Sequence, residues 1–158
     1  MNLEQFYREN YRIVFGYLLS LCGNATWAED LTSETFLKAI SRIDSYDGGM
    51  KASTWLCTIG KNLYLDQRKR RSRHVPLDSV VLWEECTMEE KLIDSQQAAK
   101  IASLARELGE PKQTVFLMRV NGSSFREIGD ALGKTENWAR VTFFRVRNEI
   151  LDRLEGEG

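Results

Sequence analysis

The segment KASTWLCTIGKNLYLDQRKRRSR, residues 51–73, decides how this 158-residue chain is organised. Its apolar residues recur every three or four positions, which is the spacing of a helix that packs on other helices. These residues are Ala52, Trp55, Leu56, Ile59 and Leu63. After Leu65 the stripe stops, and the cations Arg68, Lys69, Arg70, Arg71 and Arg73 follow. The pattern predicts a helix that is anchored at its start and strongly basic at its end.

Two explanations of the basic end remain open on this segment alone. The helix dipole favours cations near a C-terminus, but one or two charges would satisfy it. Five cations with Asp66 as the only nearby acid indicate a polyanionic partner, of which nucleic-acid phosphate is the leading candidate. The alternative is a solvated helix end that runs into a linker.

Charge is distributed unevenly along the chain, although the total is only −1. Residues 1–75 carry 11 Lys and Arg against 8 Asp and Glu, whereas residues 76–100 carry 2 against 6. Residues 101–158 are balanced, with 9 against 9. An acidic middle therefore separates a basic first part from a neutral last part.

Several function classes are disfavoured by the composition. Cys22, Cys57 and Cys86 are widely spaced, form no CxxC pair and have His74 as the only histidine, so we expect reduced thiols, no metal site and no cofactor. No phosphate-binding glycine motif and no partner acid for His74 is present, so we expect no catalytic residue and no small-molecule substrate. The chain has no apolar run of about 20 residues and no signal-peptide layout, which predicts a cytoplasmic protein.

Two further helices are predicted before residue 51. Residues 3–21 carry a helical stripe that ends at Gly23. Thr26 and Glu29 fit a capping box for a helix to about residue 43. That helix is expected to bury the residues Trp27, Leu31, Phe36, Ile40 and Ile43. Its other face carries the residues Asp30, Ser33, Glu34, Leu37 and Lys38, which form either a solvated face or a docking surface.

The last part of the chain predicts a helix-turn-helix. Pro111 suits a helix start, Ser124 and Glu127 fit a capping box, Gly133 suits the turn and Thr135 suits the cap of the final helix. The final helix is expected to expose the residues Asn137, Arg140, Val141, Phe144 and Arg145. Arg and Asn on such a helix match the edges of guanine and adenine in a major groove.

Together these segments predict an all-α fold made of two small helical domains. The first spans residues 1–73 and the second residues 98–158. Residues 74–97 are expected to form a flexible acidic linker, because Pro76 stops the basic helix and the apolar patch that follows is too small for a core.

The chain resembles the extracytoplasmic-function sigma factors of bacterial RNA polymerase. The resemblance rests on AEDLTSETFLKA (28–39), STWLCTIGKNLYLDQRKRRSR (53–73) and FREIGDALGKTENWARVTFFRVRNEIL (125–151), in the order of the family. It implies a region 2 domain, a linker and a region 4 helix-turn-helix. It also implies an initiation factor that binds core polymerase and promoter DNA, with an anti-sigma partner that is anchored in the membrane.

The resemblance also assigns residues to three surfaces. In the family the helix at 26–43 docks on the polymerase clamp, which assigns that role to Asp30, Ser33, Glu34 and Lys38. The −10 element is assigned to Tyr46, Gly48, Gly49, Met50, Lys51, Asn62, Asp66, Arg68 and Lys69. The −35 element is assigned to Asn137, Arg140, Val141, Phe144 and Arg145. Ser33, where the family usually has glutamine, implies a shorter clamp contact, and Val141 implies contact with a thymine methyl.

Two alternatives to this function remain open on the sequence alone. One is a stand-alone helix-turn-helix regulator that never meets polymerase, and the other is a scaffold whose basic helix end binds an acidic protein. The first would require dimeric symmetry for a palindromic site. Residues 1–73 show no evident dimer seam.

Overall fold

The computed structural model describes residues 2–71 and 95–157, and its regular structure there is helical throughout. The α-helices are α1 Leu3–Cys22, α2 Ala25–Ser41, α3 Ala52–Arg71, α4 Ser95–Glu107, α5 Lys112–Val120, α6 Phe125–Leu132 and α7 Glu136–Glu157. A 3₁₀ helix at Ile43–Ser45 follows α2. The all-α prediction is confirmed. The predicted linker lies outside the described residues except for its last three positions, which begin α4, and His74 and Cys86 also lie outside them.

Helices α1, α2 and α3 pack on one another and form the first unit. Leu18, Leu31 and Leu56, one from each helix, are fully buried at the centre. Gly60 lets α3 approach both other helices, because a Cβ atom there would lie 2.9 Å from Thr35 Oγ1 and 3.1 Å from Leu18 Cδ2. The stripe in residues 51–73 therefore faces the core as predicted, and the basic end projects beyond it.

The cap of α2 differs from the prediction. Asn24, not Thr26, is the N-cap: its backbone is extended and its Oδ1 accepts a 2.8 Å hydrogen bond from Trp27 N. Thr26 therefore lies inside the first turn and forms no capping box. The prediction that Ile40 is buried is also wrong, since its side chain is 43% exposed. The buried stripe of α2 runs through Leu31, Thr35 and Ala39 and leaves Ile40 at its edge.

Helices α4 to α7 form the second unit, which contains the predicted helix-turn-helix. Ser124 and Glu127 form both hydrogen bonds of a capping box at the start of α6. Gly133 ends α6 with a φ of 70°, a left-handed conformation that glycine adopts without strain. Thr135 Oγ1 accepts a 3.0 Å hydrogen bond from Trp138 N and caps α7 as predicted.

The two units pack directly against each other. Helix α1 contacts α5 and α6, and α3 contacts α6. A single hydrophobic cluster runs through both units and includes Tyr17 of α1 and Met118 of α5. The spacing of apolar residues along the chain does not predict this contact.

Candidate functional site

The outer face of α2 brings together the residues predicted to meet the polymerase clamp. Asp30, Ser33 and Glu34 are exposed, whereas Lys38 is half-buried. Leu37 lies among them with 68% of its side chain exposed, the largest exposure among the large apolar residues of the described chain. The face thus combines two carboxylates with an apolar residue that α1 and α3 leave uncovered.

Gln67 of α3 fixes the position of one of these carboxylates. The indole Nε1 of Trp27 donates a 2.8 Å hydrogen bond to Gln67 Oε1, and Gln67 Nε2 donates a 3.0 Å bond to Glu34 Oε2. The indole only donates and the carboxylate only accepts, so the orientation of the amide is determined. Gln67 was not predicted as a site residue. Its position four residues after Leu63, on the buried stripe, was the available signal.

The loop assigned to the −10 element is folded back onto α3. The ring of Tyr46 stacks on Trp55 with centroids 4.9 Å apart, and Tyr46 Oη donates a 2.7 Å hydrogen bond to Met50 O. Gly48 has a φ of 81°, which permits the turn between them. Gly48, Gly49 and Met50 are exposed at the tip. A ring-lined loop of this kind offers an aromatic surface on which a base can stack.

The remaining −10 candidates lie along the solvent side of α3. Asn62, Asp66, Arg68 and Lys69 are all exposed. The phenol of Tyr64 lies near Arg68 of α3 and Arg106 of α4. Burial raises the pKa of Tyr64, and the positive charges of the two arginines lower it. Helix α4 thus contributes a cation to the basic end of α3, which the sequence did not indicate.

Lys51, the last of the −10 candidates, faces the second unit. Its Nζ lies 2.7 Å from Asp130 Oδ1 on α6. The predicted DNA ligand is therefore paired with a carboxylate of the helix-turn-helix.

The residues assigned to the −35 element are all exposed on α7. Arg140 is held between Glu136, 3.6 Å away, and the ring of Phe125, whose centroid is 5.4 Å from its guanidinium carbon. Phe144 also contacts Phe125, at 6.1 Å between ring centroids. Arg119 covers the same ring at 4.2 Å. Phe125 and Arg119 were not predicted as site residues, although Phe125 immediately follows the predicted N-cap.

In residues 2–71 and 95–157 no three His, Cys, Asp or Glu side chains are grouped so that they could hold a metal ion. No helix in this part of the chain has the length and hydropathy needed to cross a bilayer.

The family model for Sigma-70 region 2 matches residues 6–74, which contain most of α1 and all of α2 and α3. The chain is also 30% identical over 162 residues to the RNA polymerase sigma factor CarQ of Myxococcus xanthus, and the match covers 98% of this chain and 91% of CarQ. This chain belongs to the extracytoplasmic-function sigma factors. Its relatives are thus transcription initiation factors and not enzymes.

Other relatives agree with this assignment. The sigma factor is 31% identical over 157 residues to the ECF sigma factor SigE of Mycolicibacterium smegmatis, and the match covers 96% of this chain. It is 29% identical over 139 residues to the ECF sigma factor BldN of Streptomyces coelicolor, and that match covers 84% of this chain. The match spans 61% of SigE and 53% of BldN.

A solved structure shares the fold. The sigma factor RpoE of Bartonella quintana, solved in complex with the anti-sigma factor NepR, gives a TM-score of 0.55 at 22% identity, covering 96% of both chains. The likeness supports an arrangement of helices that extends over both units of this sigma factor.

Proposed function

We propose that this sigma factor binds core RNA polymerase through the outer face of α2 and directs it to promoters by reading two DNA elements. In this proposal the loop at 46–51 and the outer side of α3 bind the −10 element, and α7 binds the −35 element. The supporting observation is that each of these helices buries one stripe and leaves the assigned residues toward solvent, apart from the half-buried Lys38. The proposed domains are residues 1–73 and 98–158, joined by 74–97.

The mechanism would depend on binding rather than on covalent chemistry. Each half-site contributes a modest affinity, and polymerase holds both readers on one DNA molecule, so that the second contact forms at high effective concentration. Extruding a −10 base costs a few kcal/mol of stacking. Stacking of that base near the Tyr46 and Trp55 rings offsets the cost, because base–aromatic contacts are worth about 1–3 kcal/mol.

An inhibitory protein partner is part of the proposal. RpoE of Bartonella quintana forms a complex with an anti-sigma factor, and Leu37 and Phe144 offer exposed apolar surface on each unit here. An anti-sigma factor, anchored in the membrane, would cover the clamp face and the −35 face together.

Co-purification with core polymerase from the source organism tests the central proposal. We expect a stoichiometric complex that transcribes from specific sites in a genomic DNA library, and sequencing the transcripts gives the promoter. A chain that binds duplex DNA specifically as a dimer and never associates with core polymerase would instead be a stand-alone regulator.

A further inference from the structure

A line of four exposed residues, the outer line, runs along α3 opposite the stripe that packs on α1 and α2. Positions that follow one another at steps of three or four lie on the same side of a helix. The outer line consists of Thr58, Asn62, Leu65 and Lys69, all of which are exposed. Asn62 and Lys69 belong to the residues predicted to meet the −10 element, whereas Thr58 and Leu65 have no assigned role.

Leu65 is an apolar side chain in the middle of the outer line, and 39% of it is exposed. Its exposed neighbours on the helix, Lys61, Asn62, Asp66 and Lys69, are all polar or charged. A single exposed leucine is ordinary on a protein surface. Leu65 matters because of its position, since it places an apolar group inside a surface that otherwise suits nucleic acid.

Thr58 presents a second apolar group on the outer line. Its Oγ1 donates a 3.0 Å hydrogen bond to the carbonyl oxygen of Thr54, one turn earlier. A hydroxyl bonded in this way is turned back onto its own helix. The group that Thr58 offers to a partner is therefore its methyl. Leu65 follows seven residues later, which separates the two apolar groups by about 10 Å along the helix axis.

Cations lie on both sides of the outer line. Lys61 and Arg68 are exposed along one side, and Arg70 is exposed on the other side, one turn after Asp66. A helix in a major groove has a phosphate backbone on each side and base edges in front of it. The cations of α3 are therefore placed for the phosphates, and the outer line is placed for the base edges.

This face of α3 suits double-stranded DNA better than an extruded base. An α-helix is about 10–12 Å across, which fits a major groove about 12 Å wide. Leu65 and Thr58 offer no ring on which an extruded base could stack, unlike Tyr46 and Trp55. In the major groove thymine is the base that carries an apolar group, its C5 methyl. An apolar side chain that faces base edges is therefore complementary to thymine.

We propose that Leu65 and the methyl group of Thr58 determine part of the promoter specificity by contacting thymine methyl groups in the double-stranded part of the −10 element. The inference rests on the proposed function and adds two residues to it. Leu65 lies ten residues after Trp55, or about 15 Å along α3. At about 3.4 Å per base pair, its thymine lies within about five base pairs of the extruded base. The thymine of Thr58 lies about three base pairs closer.

Replacement of thymine by uracil tests the contact directly, because it removes the methyl group and keeps the base pair. The sigma factor and core polymerase initiate on the promoter found by transcript sequencing, with each thymine of its −10 region, on either strand, replaced in turn by deoxyuridine. We expect initiation to fall about fourfold at the thymine of Leu65, since burial of one methyl group is worth about 0.8 kcal/mol. A smaller fall is expected at the thymine of Thr58.

Two variants assign each effect to its side chain. Leu65→Ala should initiate equally well with thymine and uracil at the first position and keep the effect at the second. Thr58→Ser, which keeps the hydroxyl and removes the methyl, should do the reverse. Leu151→Ala is the matched control and should keep both effects, because Leu151 is a leucine of similar exposure, 41%, on α7. Each result is a ratio for one protein on two templates, so a change in stability cancels.

Four outcomes would contradict the proposal. Equal initiation by the unaltered protein on all thymine and uracil templates would show that no methyl group is read. A uracil effect that persists in both variants would assign it to other residues. A fall by the same factor on both templates for Leu65→Ala would place Leu65 against polymerase. Failure of the unaltered protein to initiate with core polymerase on any DNA would contradict the proposed function and this inference together, whereas the first three outcomes leave the proposed function intact.

Discussion

Gln67 Nε2 donates a 3.0 Å hydrogen bond to Glu34 Oε2 and so ties α3 to the outer face of α2. In the proposed function this bond joins the helix that meets DNA to the helix that meets polymerase. Trp27 orients the amide from the other side. The pair is therefore the first place to test whether the clamp face must be held in a fixed geometry.

Gln67→Glu should weaken core polymerase binding. The new carboxylate would face Glu34 at about the same distance, and repulsion would turn Glu34 away from its present position. Gln5→Glu is the matched control, because Gln5 donates a 2.9 Å bond to Glu9 in the same way on α1. Gln67→Glu should lose about 0.5–1.5 kcal/mol of stability, whereas Gln5→Glu should lose less, because its new carboxylate lies in the first turn of α1. Equal polymerase affinity of the two variants, measured by fluorescence titration, would remove the positioning role of Gln67.

Asp30→Arg with Glu34→Arg should abolish binding to core polymerase while the protein stays folded. Both side chains are exposed, and the lost Gln67 bond to Glu34 should cost about 0.5–1.5 kcal/mol, which is too little to unfold the protein. Asp152→Arg with Glu155→Arg makes the same charge change at exposed positions of α7 and should bind normally. A pull-down with core polymerase measures the binding of both variants. Unchanged binding of the α2 variant would rule out the outer face of α2 as the polymerase-binding surface.

Arg140→Ala should cost about 1–3 kcal/mol on the cognate −35 element and relax base preference at one position. Phe125→Leu should cause a smaller loss at the same position, because the ring holds the Arg140 guanidinium and a cation–π contact is worth about 0.5–1 kcal/mol. Arg147→Ala, an exposed change on the same helix, is the control. Transcription from a set of −35 variants gives the result. An equal loss on every variant would show that Arg140 contacts phosphate and does not read a base.

Gly129→Ala should destabilise the helix-turn-helix. A Cβ atom at Gly129 would lie 2.8 Å from Lys134 O and 2.9 Å from the carbonyl carbon of Thr135, and backbone cannot move aside as a side chain can. We expect a loss of about 1–3 kcal/mol, measured from the urea midpoint. Gly156→Ala should be neutral or slightly stabilising. An unchanged midpoint for Gly129→Ala would mean that α6 and α7 are less closely apposed.

The proposed anti-sigma factor should protect both units at once. Hydrogen exchange on the native inhibitory complex should slow on the outer side of α2, around Leu37, and on α7, around Arg140. The free sigma factor is the reference for each peptide. Protection confined to one unit would argue against a partner that covers both faces, and recovery of no inhibitor from cells would remove this part of the proposal.

The sequence by itself was sufficient to predict every described α-helix except α4, most of their ends and most of the residues that they expose. Apolar spacing determines which side of a helix is buried, and capping residues act within one turn, so both are written in local sequence. The predicted box at Ser124 and the cap at Thr135 are confirmed for this reason. The box at Thr26 was wrong because Asn24, two residues earlier, offered a competing acceptor.

Only the tertiary structure decided which distant residues meet. Gln67 bonds Glu34 across 33 positions, and Lys51 pairs with Asp130 across 79. The spacing of residues along the chain predicts neither pair, since each depends on how two complete helices cross. Apolar burial selects a face of a helix but not its neighbour, because the hydrophobic effect has no direction. The docking of the second unit on α1 and α3 therefore depends on apolar burial shared by both units, on the close approach at Gly16 and on the ion pair of Lys51, none of which is visible in local sequence.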